Sequence, residues 1–373
     1  MNDNLTRAKI PVVIFGCGAV AERFYAPTLR QLERDDAVSV RALVDPAPER
    51  TEALRAFFPE AGAYDEPGRL PAGSGELAIV AAPDRFHAPL TLAALESDMS
   101  VLVEKPMAHS VADAEAMITS ARSANKLLAV GLFRRFFSSS QAMREIVSTG
   151  LLGDDLTFEV LVGNKLNWPA KSASFFRKDL AGGGVLMDIG PHVLDLLIWW
   201  FGEPAALEYA DDAMGGLEQN CRLSIEFAPQ AQDAAPVTGE VTMTRDWKLP
   251  NTLRVTGTRG WASMRFGRGA QLDLGFHDSE FAFDAHVFTQ RVEGNRPALD
   301  RPGREQAESF AAQIHNVLGA LRGDNDLAVP GEEGIRSLRL IERCYNERHL
   351  LEMPWFDSAE RAQAIELSEA MTP

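Results

Sequence analysis

The sequence predicts an α/β protein in which a doubly wound parallel sheet precedes a second α/β domain with a large, mostly antiparallel sheet. In the first third, short apolar runs alternate with helix-like stretches, which is typical of a parallel sheet covered on both faces. After residue 150, strand candidates follow one another without helices between them, which favours antiparallel pairing. The predicted strands span residues 10–15, 38–44, 77–82, 101–103 and 127–130, and then 157–163, 222–227, 238–245, 253–257, 261–266 and 271–276.

The first predicted strand leads directly into a glycine-rich turn that matches the pattern G-x-G-x-x-G/A. Gly16 permits a tight turn, Gly18 lets the backbone approach a pyrophosphate, and Ala21 lets the following helix pack closely on the strand. The free N–H groups at the start of that helix, contributed by Ala19, Val20 and Ala21, would bind phosphate. A single match of this kind also fits an ordinary strand–turn–helix unit.

The second predicted strand closes with Asp45, which strengthens the nucleotide interpretation. An acidic residue there accepts hydrogen bonds from the ribose hydroxyls of NAD and repels the 2′-phosphate of NADP. Strand, turn, helix, strand and acid in this order predict dinucleotide binding, with NAD favoured over NADP. Arg50 lies nearby and would stack on the adenine or reach a phosphate.

The later strand ends of the first sheet carry further polar residues. Ligands of doubly wound sheets bind at the carboxyl ends of the strands, so Pro83, His87, Glu104 and Lys105 are expected to face the cofactor cleft. A partly desolvated lysine at a buried strand end would take part in proton movement. The alternative for Lys105 is a surface lysine in a loop.

A second group of ionisable residues lies in an apolar helix candidate, where Asp188 precedes His192 by four residues and Asp195 follows it by three. Ionisable groups amid apolar neighbours must be satisfied by partners or used in chemistry. A metal site would need a further ligand close by, and none is evident, so no metal is predicted. A structural His–Asp hydrogen bond and an acid/base pair remain as alternatives.

Three residues between these motifs are candidates for binding a polyol. Lys165 and Trp168 follow the first strand of the second domain, and Arg177 precedes the glycine run at 182–184. Sugars accept and donate hydrogen bonds at their edges and place C–H groups against aromatic faces. An ordinary loop after a strand is the alternative.

Together, these motifs resemble the Gfo/Idh/MocA oxidoreductase family: the glycine turn, Pro83-x-x-x-His87, Glu104-Lys105-Pro106 and Asp188-x-Gly190-x-His192. The resemblance implies a Rossmann domain and a C-terminal sheet that supports assembly to homodimers or homotetramers. It places Lys105 beside the nicotinamide and substrate, with His192 as acid/base and Asp188 as its partner. It places His87 near the cofactor, and Arg135 and Asp195 among the substrate contacts.

The charge and cysteine content exclude several classes of function. The chain of 373 residues has a formal charge of −16, which disfavours nucleic acid and anionic membrane as partners. The acidic excess is greatest after the first third, which suits a neutral polyol better than a polyanion. Three widely spaced cysteines form no disulfide framework and fit a cytoplasmic location.

The sequence therefore predicts a cofactor-binding domain at residues 1–133, a substrate and assembly domain at 134–357, and an acidic tail at 358–373. Residues 205–214 and 228–236 are expected to be loops. The predicted function is an NAD(H)-dependent oxidoreductase acting on a secondary hydroxyl or ketone of a sugar, cyclitol or derivative. One alternative is an NDP-sugar or amino-sugar oxidoreductase, which would require Arg135, Lys165 and Arg177 to converge. Another is a non-catalytic sensor of NAD and sugar on the same scaffold.

Overall fold

The N-terminal part of the chain forms a six-stranded parallel sheet in the order β3-β2-β1-β4-β5-β6. The computed structural model describes residues 8–167, 176–229, 235–277, 285–288, 304–352 and 356–369. The strand order is that of a doubly wound dinucleotide-binding fold, as predicted. Its strands are β1 (Ile10–Phe15), β2 (Val38–Val44), β3 (Gly62–Tyr64), β4 (Leu77–Val80), β5 (Ser100–Glu104) and β6 (Leu128–Gly131).

Helices cover both faces of this sheet, so its central strands are buried on both sides. All residues of β4 and β5 are buried, which explains their continuous apolar runs. The helices of this part are α1 (Ala26–Arg34), α2 (Pro48–Arg55), α3 (His87–Glu96), α4 (Val111–Ser123) and α5 (Ser138–Ser148).

The second sheet has nine strands in the order β14-β13-β12-β11-β7-β10-β9-β8-β15. Its pairs are antiparallel except β7 with β10 and β8 with β15, so the prediction of a mostly antiparallel sheet is confirmed. The strands are β7 (Thr157–Gly163), β8 (Pro204–Asp211), β9 (Asn220–Phe227), β10 (Val237–Thr244), β11 (Thr252–Thr256), β12 (Gly260–Arg265), β13 (Arg268–Phe276), β14 (Ala285–Phe288) and β15 (Arg348–Leu350).

The expectation of a loop at residues 205–214 is wrong, because β8 occupies most of that segment. Leu207, Tyr209 and Asp211 point into the core from alternate positions. Because the polar residue Asp211 occupies one of the buried positions, the sequence of β8 does not show an apolar alternation. It is satisfied by the Tyr209 hydroxyl at 2.6 Å and the Arg348 guanidinium at 2.8 Å.

Helices from the second half of the chain also pack on the first sheet. Pro330 bridges to Ala129 of β6, and the ring of Phe310 stacks on Phe24 and Phe133. The predicted boundary at residue 133 falls in the tight turn Phe133–Phe136 between the two sheets. The remaining helices are α6 (Lys178–Ala181), α7 (Val185–Phe201), α8 (Arg304–Leu321), α9 (Gly331–Asn346) and α10 (Ser358–Glu369), of which α10 covers much of the predicted acidic tail.

Neither a bilayer-spanning helix nor a group of three His, Cys, Asp or Glu side chains arranged for a metal ion occurs in the part of the chain that the structure describes.

Candidate active site

A cavity of about 340 Å³ lies where the carboxyl ends of the first sheet meet α7. Parallel strands bring their carboxyl ends to one edge of a sheet, so residues distant in sequence meet there. The cavity wall includes twelve of the predicted site residues: Gly16, Gly18, Ala19, Val20, Asp45, Arg50, Pro83, His87, Glu104, Lys105, Asp188 and His192.

The glycine turn has the shape that a bound pyrophosphate requires. Gly16 has φ +86°, and a Cβ on it would lie 2.5 Å from the backbone nitrogen of Ala82, so no side chain fits there. At Gly18 a Cβ would meet nothing within 4 Å, which leaves open space over the turn. Ala21 does not line the cavity but is fully buried beneath it.

Asp45 is buried at the end of β2 and braces the glycine turn. Its Oδ2 accepts a hydrogen bond from the Cys17 N–H and its Oδ1 one from the Ala47 N–H, both at 2.9 Å. Each carboxylate oxygen has two lone pairs, so each retains one for a ribose hydroxyl. Arg50 lies 3.8 Å from Oδ1. Burial, reinforced by the charge of Asp45, raises the pKa of the Cys17 thiol to about 12.

Lys105 and Asp188 form the contact that joins the two halves of the site. The Lys105 Nζ donates to the Asp188 backbone oxygen at 2.8 Å and to its Oδ1 at 3.0 Å. Two of the three ammonium donors are thereby used, which leaves one for a substrate oxygen. The peptide bond between Lys105 and Pro106 is cis.

Arg245 completes this ion-pair group and was not predicted as a site residue. Its Nη2 lies 3.0 Å from the Asp188 Oδ2. Although burial opposes the charge of Asp188, Lys105 and Arg245 together lower its pKa. Arg245 directly follows β10 of the mostly antiparallel sheet, where the strand-end rule for parallel sheets does not apply, so no sequence signal singled it out.

His192 lies one helical turn after Asp188, with its ring edge against Phe133 at a centroid distance of 4.9 Å. Its Nδ1 is buried without a hydrogen-bond partner among the described residues. Burial, together with the charges of Arg134 and Lys105, holds the pKa of His192 well below its usual value. The ring is therefore neutral at pH 7 and has a lone pair to accept a proton.

A structural hydrogen bond from His192 to Asp188 or Asp195 is not formed. Asp188 binds Lys105 and Arg245, while Asp195 binds Arg135. The alternative of a structural His–Asp hydrogen bond is therefore wrong. Among the described residues, His192 is held in place by packing contacts alone.

Glu104 and His87 stabilise the strand ends that present Lys105. Glu104 Oε1 accepts from the Tyr25 hydroxyl at 2.6 Å, and Oε2 accepts from the Lys105 N–H at 3.2 Å. His87 contacts the Pro106 oxygen through Nδ1 at 2.7 Å and the Ala82 oxygen through Nε2 at 2.8 Å. Burial lowers the pKa of His87 and raises that of Glu104.

Asp84 is a cavity residue that the sequence reasoning missed, although it lies between Pro83 and His87. Burial raises the pKa of its carboxyl to about 7, Lys105 opposes this, and Asp188 reinforces it. Asp84 is therefore much easier to protonate near neutral pH than an ordinary carboxyl group.

The expected substrate contacts Arg135 and Asp195 lie outside the cavity wall and bind each other instead. Arg135 Nη2 is 2.6 Å from Asp195 Oδ1 and 3.0 Å from Glu333 Oε2. We therefore correct their role from substrate binding to a buried structural ion pair. The neighbouring Arg134, which was not predicted, lines the cavity, with its Cζ 4.5 Å from the centre of the Phe266 ring.

The other predicted substrate residues do not converge on the cavity. Lys165 and Arg177 are exposed and are not part of its wall. Trp168 lies outside the described residues.

The glycine run before α7 allows a buried carboxylate to hold the start of that helix. Glu218 Oε1 accepts hydrogen bonds from the Gly184 N–H at 2.8 Å, the Leu186 N–H at 3.1 Å and the Tyr345 hydroxyl at 2.8 Å. A Cβ at Gly183 would overlap the Tyr345 hydroxyl, and one at Gly184 would overlap the Glu218 backbone. A carboxylate at a helix N-terminus is favourable, and here it fixes the turn that carries Asp188.

Comparisons with known proteins agree with this architecture. Residues 10–132 match a family model described as an oxidoreductase family with an NAD-binding Rossmann fold. Residues 140–263 match one described as a GFO/IDH/MocA C-terminal domain.

Two curated relatives with named activities match about half of the chain. D-glucoside 3-dehydrogenase of Escherichia coli (strain K12) is 34% identical over 206 residues, which are 55% of this chain and 58% of that protein. A Bacillus subtilis (strain 168) protein named scyllo-inositol 2-dehydrogenase (NADP(+)) is 28% identical over 199 residues, 53% of each. The match thus spans little more than half the length of these curated relatives.

Solved structures share the fold over nearly the whole chain. Aldose-aldose oxidoreductase from Caulobacter crescentus, complexed with glycerol, has a TM-score of 0.72 at 24% identity and covers 91% of this chain and 97% of its own. Levoglucosan dehydrogenase, in complex with NADH and levoglucosan, has a TM-score of 0.77 at 19% identity with the same coverage. At these identities the likeness concerns the fold alone.

Proposed function

Because the chain belongs to the Gfo/Idh/MocA oxidoreductase family, we propose that it is an NAD(H)-dependent oxidoreductase acting on a secondary hydroxyl or ketone of a sugar, cyclitol or derivative. One observation carries the proposal: Lys105, Asp188 and His192 share a cavity with the glycine turn. Donors, a proton acceptor and a dinucleotide site thus face one another. Relatives named as sugar and inositol dehydrogenases support the substrate class.

The residues at the nucleotide end fit a dinucleotide. The open space over Gly18 would receive the pyrophosphate, and the spare lone pairs of Asp45 would accept hydrogen bonds from ribose hydroxyls. The carboxylate of Asp45 favours NAD, although one relative is named for NADP(+). When bound, the nicotinamide supplies the hydride chemistry.

The chain's own residues would position the substrate and handle the proton. In oxidation, neutral His192 accepts the hydroxyl proton, and the free donor of Lys105 hydrogen-bonds the oxygen as negative charge develops on it. Asp188 holds the ammonium of Lys105 in place through two contacts. In reduction, the same groups act in reverse.

The geometry supports neither a nucleotide-sugar or amino-sugar oxidoreductase nor a non-catalytic sensor. Arg135 binds Asp195, and none of Arg135, Lys165 and Arg177 lines the cavity, so their convergence at the site, which a nucleotide-sugar substrate would require, has no support. A non-catalytic sensor would have no use for an ammonium held beside a neutral histidine. Three free, buried cysteines fit the proposed cytoplasmic location, and assembly through the nine-stranded sheet stays an expectation from the family.

The test is a screen of sugars, polyols and keto-sugars by NADH absorbance in both directions, with Lys105→Met as the critical variant. Loss of one donor to a developing oxyanion costs ~10²–10³ in rate, while the glycine turn and Asp45 keep NAD binding intact. Lys126→Met is the matched control, since Lys126 has 22% side-chain exposure against 19% for Lys105 and pairs with Asp98 outside the cavity wall. Equal turnover by the two variants would refute the proposal.

A further inference from the structure

Arg134 is a cation in the cavity wall that has no salt-bridge partner among the residues that the structure describes. Its Nε and Nη1 are sealed from solvent and have no hydrogen-bond acceptor among the residues that the structure describes. One face of its guanidinium lies over the ring of Phe266. Burial lowers the pKa of Arg134 to about 10, with Asp188 opposing, so the group is charged at neutral pH.

The adjacent residue Arg135 is a buried guanidinium that does have carboxylate partners. Arg135 binds the carboxylates of Asp195 and Glu333 at 2.6 and 3.0 Å. A buried charge without such partners is costly, because desolvation is not repaid by an ion pair. Because Arg134 lies in the cavity wall, an anionic ligand that enters the cavity would supply the missing partner.

The carboxylates already present in the wall do not fill this role. Asp188 is held by Lys105 and Arg245 through separate oxygens at 3.0 Å each. Burial raises the pKa of Asp84 to about 7, which biases its carboxyl towards the neutral form. Glu104 accepts hydrogen bonds from the Tyr25 hydroxyl and the Lys105 N–H. Lys105, Arg134 and Arg245 thus share the wall with Asp84, Glu104 and Asp188, and each of these carboxyls has other partners or is biased by burial towards its neutral form.

We propose that Arg134 binds a carboxylate of the substrate, so that the substrate is a sugar acid, such as an aldonate or uronate, rather than a neutral polyol. The inference rests on the proposed function and narrows its substrate class. The carboxylate would meet the guanidinium at Nη2, because Nε and Nη1 have no exposed surface, and a charge-assisted hydrogen bond there suits a carboxylate oxygen. The aromatic ring on one face excludes water and leaves the edge of the guanidinium as the binding side.

One available guanidinium suits a singly charged carboxylate better than a phosphate dianion. Lys165 and Arg177, the cations that a phosphate would also need, are not part of the cavity wall. A phosphorylated sugar is therefore the competing ligand that the experiment must exclude.

The experiment compares D-glucuronate and D-gluconate with glucose and glucose 6-phosphate, using turnover and calorimetric binding to the NADH-loaded protein. Wild-type protein should prefer a sugar acid to glucose at least about tenfold. Arg134→Met should lose about tenfold to a hundredfold in affinity for the acid, as expected for a hydrogen bond to a charged group, and Arg134→Lys should retain part of it. Glucose binding should change less than about threefold.

Arg144→Met is the matched control, because Arg144 also lies over an aromatic ring, that of Trp199 at 4.6 Å, but outside the cavity wall. Arg134→Met should lower the melting temperature only slightly, since it removes a charge without a salt-bridge partner among the described residues and gives up one contact with the Phe266 ring. A large fall would reveal a structural partner and overturn the inference.

Other outcomes separate the two proposals. Turnover of neutral sugars without acid preference, or with equal effects of Arg134→Met on both, overturns the inference and leaves the proposed function standing. Preference for glucose 6-phosphate overturns the carboxylate assignment. Arg134-dependent binding of an acid without turnover of any compound supports the inference and contradicts the proposed function.

Discussion

Replacing Arg135 by methionine should destabilise the protein rather than impair substrate recognition. The side chains of Arg135 and Asp195 are 3% and 2% exposed. Arg135 Nε donates to Asp195 Oδ2 at 2.9 Å and Nη2 to Oδ1 at 2.6 Å, with a further bond to Glu333 at 3.0 Å. Methionine fills similar space but leaves the Asp195 carboxylate unpaired in the interior.

The cost follows from that unpaired carboxylate. Removing one partner of a buried pair costs ~3–5 kcal/mol. Burial raises the pKa of Asp195 even with Arg135 present, so the carboxylate can protonate when the pair is broken, which favours the lower end of this range. Glu333 keeps its ion pair with Arg336 at 3.0 Å, so it adds little to the loss of folding free energy.

Urea unfolding followed by circular dichroism measures the effect, with Arg336→Met as control. Arg336 also binds Glu333, but its side chain is 22% exposed and its partners are 34% and 65% exposed, so its loss should cost less than ~1 kcal/mol. Equal destabilisation by the two variants would refute the reasoning. An increase in KM for Arg135→Met with unchanged stability would restore the substrate-binding role that the sequence suggested.

Two further predictions concern α7 and the cavity. Gly184→Ala should destabilise the protein by more than ~2 kcal/mol, because the new Cβ would overlap the Glu218 backbone at the start of α7. A destabilisation of ~1 kcal/mol lowers the melting temperature by about 2 °C. A melting temperature within about 2 °C of wild type would therefore contradict this prediction. Asp84→Asn should gain stability relative to wild type as pH rises from about 4 to 7, since a carboxyl with its pKa raised to about 7 destabilises the native state once it must ionise. Melting temperatures of both proteins at pH 5 and pH 8 test the sign, and a constant difference would contradict it.

The nucleotide half of the site was predictable because its geometry is local to strand ends. Gly16, Asp45 and Lys105 each follow a buried apolar run, and the carboxyl ends of parallel strands meet at one edge. Edge strands were harder to predict. β3 has only three residues, Gly62–Tyr64, which is too few for a periodic pattern.

The substrate half depends on how the two sheets meet, which no local pattern encodes. Arg245 follows a strand of the second sheet and binds Asp188 on α7, and Lys105 of the first sheet reaches the same carboxylate across the junction. Arg134 and Arg135 share the tight turn Phe133–Phe136. Successive side chains in a 3₁₀ turn diverge by about 120°, so one arginine enters the cavity and the other the core, and residue type alone could not decide between them.

The net charge of the chain likewise says little about the charges that line the cavity. A formal charge of −16 favours a neutral substrate only if the excess acid lies near the site. Charge interactions in water are screened over about 10 Å at 0.1 M salt, whereas those in a partly buried cavity are screened much less. A ligand in the cavity would therefore experience Arg134 far more strongly than the acidic surface, so a formal charge of −16 does not by itself exclude an anionic substrate.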